Sequence, residues 1–288
     1  MRCFLIGSTG FVGSQIKSSL EAGGIEVFTL LRAPRETNVD LSVFSTESNG
    51  DFSMENLTKF IASNNIDSVV HCGNVFDPSP SAPIVEKMLY ANILIPAKVL
   101  RAAAEANVTI FVNLGSGWQL DPEKSLKSPD YVATKQAFRA LLSHYSGRIH
   151  TTTIFANEIF GVGDRREKLL NQAVQCAVDR VHMTVQSAGK VLGFANVNRI
   201  GTDIAGLLRN PTSRPKEYVF QNFSNTTVGD LLETVGFLGG GLSWSARSEE
   251  FAPAPEVSLE IFGERPREDF LTDIRGLLEF KKSEIVQS

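Results

Sequence analysis

Arg2-Cys3-Phe4-Leu5-Ile6-Gly7-Ser8-Thr9-Gly10-Phe11-Val12-Gly13 opens the chain and decides its architecture. Arg2 to Ile6 reads as a short buried strand, and the spacing of Ile16 and Leu20 carries a helix on to Ala22. Between them lies a glycine-rich turn. Its first glycine permits the tight bend, the next lets backbone amides approach a pyrophosphate, and the last lets helix pack on strand. The helix N-terminus supplies the positive end. Gly7, Ser8, Thr9, Gly10, Phe11, Val12 and Gly13 are therefore expected to cradle a nucleotide, against the plainer reading of a strand-to-helix turn. The fold class that follows is α/β, with a doubly wound parallel sheet.

Glu26 to Leu31 is the next expected strand. It ends in Arg32, with Arg35 close behind, where an acid about 20 residues past the last glycine would hold a ribose 2′-hydroxyl. An arginine there grips a 2′-phosphate bidentately, which favours NADP(H) over NAD(H). The alternative leaves Arg32 as a surface residue and gives the ribose to Glu36 or Asp40.

After a polar stretch come Asp51-Phe52, a helical pattern from Met54 through Ile61, and the strand Ser68 to His71. His71 reads as a satisfied strand-end residue, since no His or Cys stands at metal-ligand spacing. Cys72-Gly73 lets the backbone pass close to a neighbour. A long helix is expected from about Ile84 to Ala106, carrying Asn92 and kinked at Pro96. Thr109 to Leu114 reads as a strand that delivers Gly115-Ser116-Gly117-Trp118 at its carboxyl end, where open parallel sheets bind ligands. Tyr131-Val132-Ala133-Thr134-Lys135 then begins a helix. Its spacing puts a phenol and an ammonium on one face, and the cation favours the phenolate, lowering a pKa of roughly 10. Taken alone, the pair also fits a solvated helix.

Composition narrows the class. The 288 residues are 42% hydrophobic, carry a net charge of -4, and include three cysteines, Cys3, Cys72 and Cys176, within apolar stretches. No basic footprint for nucleic acid or an anionic membrane is present. The odd cysteine count fits a reducing compartment. The opening apolar run is too short for a signal peptide, and no stretch reaches the roughly 18 apolar residues of a membrane span. A cytoplasmic protein without nucleic-acid or membrane partners is expected.

In this order, the glycine turn, Asp51-Phe52, His71-Cys72-Gly73, Asn92, Ser116 and Tyr131 to Lys135 resemble an extended short-chain dehydrogenase/reductase of the NAD-dependent epimerase/dehydratase family. Phe111 to Gln119 and Asp130 to Phe138 resemble more narrowly the nucleotide-sugar 4-ketoreductases of the CDP-abequose synthase type. The resemblance implies a Rossmann-type sheet with a small α/β C-terminal substrate-binding domain. It implies that Asp51, Phe52, Cys72 and Gly73 join the cofactor site and that Ser116 hydrogen-bonds the substrate carbonyl. Tyr131 gives the proton, Lys135 holds the nicotinamide ribose and stabilises the phenolate, and Asn92 supports a proton relay. The chemistry agrees, because hydride arriving at a carbonyl carbon needs a proton and donors at the developing alkoxide. Trp118 and Glu158 would shape the sugar site, Glu158 standing where the family usually has Asp.

In the second half, Thr151 to Ala156 reads as a strand and Asp164 to Val181 as an amphipathic helix. Arg165, Arg166 and Lys168 in its first turns oppose the helix dipole, which suits either a phosphate ligand or a solvated face. Val191 to Val197 reads as a returning strand, Thr202 to Leu208 as a helix, and Phe270 to Phe280 as the last helix. The expected domains are 1–158 with about 189–210, which bind cofactor, and 159–188 with 211–288, which bind substrate. Two departures stand out. Leu192 and the stretch Phe251 to Pro253 lie where the family often places diphosphate-gripping arginines, leaving Arg165, Arg166, Arg247 or Arg265 as substitutes. The expected activity is NADPH-dependent reduction of the 4-keto group of a nucleotide-activated deoxyhexose. The alternatives are a sugar epimerase that keeps NAD bound and a non-catalytic NADP-sensing scaffold, although scaffolds typically lose the Tyr or the Lys. A 4,6-dehydratase would follow its Ser or Thr with an Asp-Glu pair, where this chain has Gly117-Trp118. The resemblance also implies a homodimer packed through 84–106 and 131–145, though those apolar faces equally serve a core.

Overall fold

The computed structural model describes residues 1–31, 43–46, 51–78, 80–214, 216–251, 253 and 257–287. Arg32, Arg35, Glu36 and Asp40 lie outside the described residues. The elements follow in chain order: β1 (Arg2–Ile6), α1 (Phe11–Ala22), β2 (Glu26–Leu31), β3 (Val43–Ser45), α2 (Met54–Ser63), β4 (Ser68–His71), α3 (Ala82–Leu89), α4 (Ile95–Glu105), β5 (Ile110–Ser116), α5 (Pro122–Lys127), α6 (Pro129–Tyr145) and β6 (His150–Ala156). After them come β7 (Ile159–Phe160), α7 (Leu169–Asp179), β8 (Met183–Ser187), β9 (Val191–Asn196), α8 (Val197–Arg209), β10 (Glu217–Phe220), β11 (Phe223–Thr227), α9 (Val228–Gly239), β12 (Trp244–Ser248), β13 (Ile261–Phe262) and α10 (Arg267–Gln287). The chain forms two compact units, Met1–Phe155 with Ile200–Val219, and Ala156–Arg199 with Phe220–Ser288.

The first unit is a doubly wound α/β structure of Rossmann type. Its strands lie in the order β3-β2-β1-β4-β5-β6-β10. The pairs β1·β2, β1·β4, β2·β3 and β4·β5 are all parallel. Covered on both faces, such strands are apolar over most of their length, and every residue of β4 is buried, Ser68 and His71 included. Phe4, Phe111, Phe138, Leu57, Ile61 and Val99 make the core under the helices. Ser53 caps α2, its Oγ accepting from the Asn56 amide at 3.3 Å, and thereby satisfies one of the amides that a helix start leaves unbonded.

The expected single helix over 84–106 is instead two helices joined by a π turn, Tyr90–Leu94. Pro96 has no amide hydrogen to bond the carbonyl four residues back, and its ring crowds that position. The wider turn absorbs the mismatch and places Asn92, which is fully buried, at the joint.

The second unit holds a three-stranded sheet, β11-β9-β7, and the parallel pair β12·β8, with α7, α9 and α10 built over a core that includes Phe160, Phe194, Phe223 and Phe270. The helix expected from Asp164 starts only at Leu169. Arg166 is the reason: its guanidinium donates to the Asp164 carboxylate at 2.6 Å and to the Ile159 carbonyl at 2.9 Å, which curls residues 164–168 into a loop. The dipole argument drawn from a basic first turn therefore falls away. α8 begins earlier than expected, at Val197, and α10 runs well beyond Phe270–Phe280.

Candidate active site

The glycine turn is shaped by three different needs. Gly7 has φ +90°, and a Cβ there would lie 2.5 Å from Gly73 Cα, so Gly7 is the neighbour that Cys72-Gly73 passes. A Cβ on Gly13 would stand 1.9 Å from the Gly7 carbonyl oxygen, so that glycine is demanded by helix-on-strand contact. At Gly10 a Cβ would meet only Gly7 O, at 3.7 Å. The space in front of Gly10 is open, and α1 begins with no side-chain cap and no acid in its first turn. Open space beside uncapped amides is what a pyrophosphate requires, so the residues present fit a dinucleotide. Ser8 is buried in the turn while Thr9 and Gly10 are exposed and Phe11 and Val12 are half-buried. The Cys72 thiol donates to the Ile6 carbonyl at 3.1 Å, and burial pushes its pKa up to about 12, which makes it an inert packing group.

Asp51 forms an ion pair with Lys98, which also donates to the Phe52 carbonyl at 2.8 Å and lies 4.5 Å from the Phe52 ring centroid. The hydrogen bond from Lys98 to the Asp51 carboxylate holds that carboxyl below its usual range. Phe52 itself is buried.

The carboxyl end of β5 and the start of α6 bring Ser116, Trp118, Tyr131 and Lys135 into one region. Ser116 ends its strand in a tight cap: its Oγ accepts from the Trp118 amide at 3.3 Å, and its own amide donates to Gln119 Oε1 at 3.0 Å. Tyr131 stands in the first turn of α6, as the spacing predicts. Its oxygen accepts from Asn74 Nδ2 at 3.3 Å. Its ring meets Phe76 edge-on at 4.9 Å and Trp118 at 6.4 Å, while Phe76 and Trp118 lie 5.3 Å apart. One turn along, buried Lys135 donates to the Leu114 carbonyl at 2.9 Å, and desolvation brings its pKa down to about 8.

The buried Asn92 side chain is held between the β4 loop and α6. Its Oδ1 accepts from the Val75 amide at 2.8 Å, and its Nδ2 donates to the Val75 carbonyl and to Thr134 Oγ1, both at 3.0 Å. Thr134 Oγ1 in turn donates to the Tyr131 carbonyl at 2.8 Å. His71 sits below, with Nδ1 3.0 Å from Asn113 Oδ1 and its ring edge-on to Phe138. Burial, reinforced by nearby Lys135, pushes it down to about 3, so it stays neutral. Among the described residues no cluster of His, Cys, Asp and Glu could hold a metal.

The remaining expected site residues belong to the second unit. Glu158 has φ +24° and lies 4.0 Å from Lys168. Arg165 pairs with Glu284 at 3.1 Å, and Arg166 with buried Asp164. Both arginines line a cavity of about 590 Å³ with Asn171, Gln175, His182 and Lys281. Leu192 points into the unit's core, which accounts for its apolar character. Arg247 and Arg265 are exposed.

Asn74, Phe76 and Lys98 escaped the sequence reading. For Asn74 and Phe76 a positional signal existed, since they follow β4 directly, at the carboxyl edge where such sheets bind ligands. Lys98 lies 47 residues from Asp51, and nothing local pairs them.

Residues 3–196 match the model of the NAD dependent epimerase/dehydratase family, and the chain belongs to that family. It is 22% identical over 293 residues to a CDP-abequose synthase of Salmonella typhimurium, covering 94% of this chain and 95% of the relative. It is 26% identical over 186 residues to a CDP-abequose synthase of Yersinia pseudotuberculosis, covering 63% and 62%. Among solved structures it is similar to the UDP-N-acetylglucosamine 4-epimerase from Bacillus cereus, with TM-score 0.74 at 13% identity over 98% of this chain and 96% of that one. MoeE5 in complex with UDP-glucose and NAD gives TM-score 0.72 at 17% identity, over 99% and 100%. At these identities the two structures bear on the fold alone.

Proposed function

We propose that the protein is an NADPH-dependent reductase of the 4-keto group of a nucleotide-activated deoxyhexose. The observation that carries this reading is the Lys135–Leu114 hydrogen bond, which ties the helix bearing Tyr131 to the strand ending in Ser116. A carbonyl placed against these two hydroxyls has both the donors that reduction needs at its oxygen. NADPH, when bound, supplies the hydride. Tyr131 passes its phenolic proton to the substrate oxygen, Ser116 donates to that oxygen, and Lys135 favours the phenolate that remains. Asn92 acts through the turn it holds, its side chain being spent on Val75 and Thr134. Trp118 and Phe76 offer apolar ring surface to a deoxygenated sugar. The CDP-abequose synthase relatives support a nucleotide-sugar substrate.

The test is NADPH consumption by the purified protein across nucleotide 4-keto-6-deoxyhexoses. Turnover that disappears in Tyr131→Phe with cofactor binding intact is the expected result, with a loss of about 10²- to 10⁴-fold. Normal NADPH binding with no consumption over the panel sinks the substrate assignment. The epimerase reading draws on the family to which the chain belongs, and release of NAD on denaturing the purified protein would favour it. A Tyr131→Phe variant that keeps cofactor binding and full biological effect would instead mark a scaffold.

A further inference from the structure

We propose that Asn74 is a hydrogen-bond donor to the reacting oxygen of Tyr131, aimed by Asn92, so that the phenolate is met by an uncharged amide from the loop after β4 in addition to the field of Lys135 one helical turn away. The proposal deepens the reductase reading, since it takes Tyr131 as the proton donor. Asn74 Nδ2 stands 3.3 Å from the Tyr131 oxygen. A donor to a phenol oxygen favours its ionised form, which is the form left once the O–H bond of Tyr131 breaks and a new one forms on the substrate. The amide hydrogens of Asn74 stay on nitrogen throughout.

The placement of this donor is built into the fold. Val75, the next residue, is gripped at both its amide and its carbonyl by the buried Asn92 side chain, at 2.8 and 3.0 Å. The second amide hydrogen of Asn92 reaches Thr134, whose hydroxyl bonds the Tyr131 carbonyl. One buried amide therefore fixes the backbone beside the donor and the backbone of the acceptor. Lys135 is differently placed. Its ammonium is buried against the Leu114 carbonyl, and desolvation lowers its pKa to about 8, whereas a carboxamide does not titrate. The other ionisable groups on the surrounding elements include Asp130 on α6, Asp77 in the β4 loop, His71 and Cys72 at the strand end, Glu86 and Lys87 on α3, and Lys124 at the Trp118 ring. α3 packs against Tyr131 through apolar Met88.

The test is the ultraviolet titration of tyrosinate in the full chain, which needs no substrate. There are four tyrosines, and subtracting the curve of Tyr131→Phe isolates the one in question. Asn74→Ala is expected to make Tyr131 about 3- to 10-fold less acidic, the scale of one hydrogen bond, and Asn74→Asp to shift it further in the same direction. Asn74 is exposed, so both variants should keep the fold, checked by near-ultraviolet circular dichroism. A Tyr131 midpoint that is unchanged or lowered in both variants overturns the proposal. A raised midpoint without turnover on any nucleotide ketosugar leaves Asn74 as assigned and removes the substrate reading instead. With turnover present, kcat should fall about 3- to 10-fold in Asn74→Ala at unchanged NADPH affinity.

Discussion

Lys135 Nζ donates to the Leu114 carbonyl at 2.9 Å from a side chain that is 3% exposed. No carboxylate accompanies that charge among the hydrogen bonds and ion pairs of the described residues, so the fold bears its desolvation. The sign follows from linkage. The folded pKa, about 8, lies below the ordinary 10.5, so between these values the unfolded chain binds more protons. The stability penalty is complete below about 8 and is relieved as pH rises toward 10.5. Lys135→Met should therefore abolish turnover yet stabilise the protein at neutral pH by about 1–3 kcal/mol, after allowing for the donor lost at Leu114. Urea melts at neutral pH and near pH 10 check this. A gain that does not shrink at the higher pH contradicts it.

Gly10 and Gly13 should separate binding from folding. Gly13→Ala drives a Cβ to 1.9 Å from the Gly7 carbonyl oxygen, and a loss of about 2–4 kcal/mol is expected from such overpacking. Gly10→Ala meets ordinary contact inside the protein. It should leave the melting temperature within a degree or two while weakening NADPH binding about tenfold or more, read by fluorescence titration.

Asn92→Ala strands the Val75 amide and carbonyl together with Thr134. Unsatisfied buried groups cost about 1–3 kcal/mol each when nothing replaces the partner, so a loss of about 2–4 kcal/mol is expected, with turnover falling at assay temperature. Asn92→Asp keeps only the acceptor and should recover little. A stable, fully active Asn92→Ala protein would show that the π turn holds without its amide.

His71 sets an acid limit. Its folded pKa of about 3 lies below the usual 6.5, so the unfolded chain binds the extra proton and stability falls as pH drops from 6.5 toward 3. His71→Gln should flatten that fall, seen in melting temperatures taken between about pH 7 and 4.

The proposed preference for NADPH rests on Arg32, the residue that follows β2 in the sequence. Arg32→Ala should lower the ratio of kcat/KM for NADPH over NADH about 10- to 100-fold, the scale of a lost bidentate charge-assisted contact. An unchanged ratio would move the contact to Arg35 or restore the ribose to Glu36 or Asp40.

What the sequence determined by itself was local and periodic. The strand, glycine turn and helix from Arg2 to Ala22 are contiguous, and their apolar spacing admits little else, so the Rossmann-type sheet was legible. Tyr131 and Lys135 belong to one helix, where a separation of four residues already means one face. Tertiary structure decided the rest, because the partners are distant in the chain. The Asn74–Tyr131 bond spans 57 residues and Asp51–Lys98 spans 47, and no pattern within one element encodes either. The π turn at Asn92 and the late start of α7 were hidden for a related reason. Helical spacing runs on through Pro96 and through 164–168, while the hydrogen bonds that interrupt it go to Val75, Thr134 and Ile159.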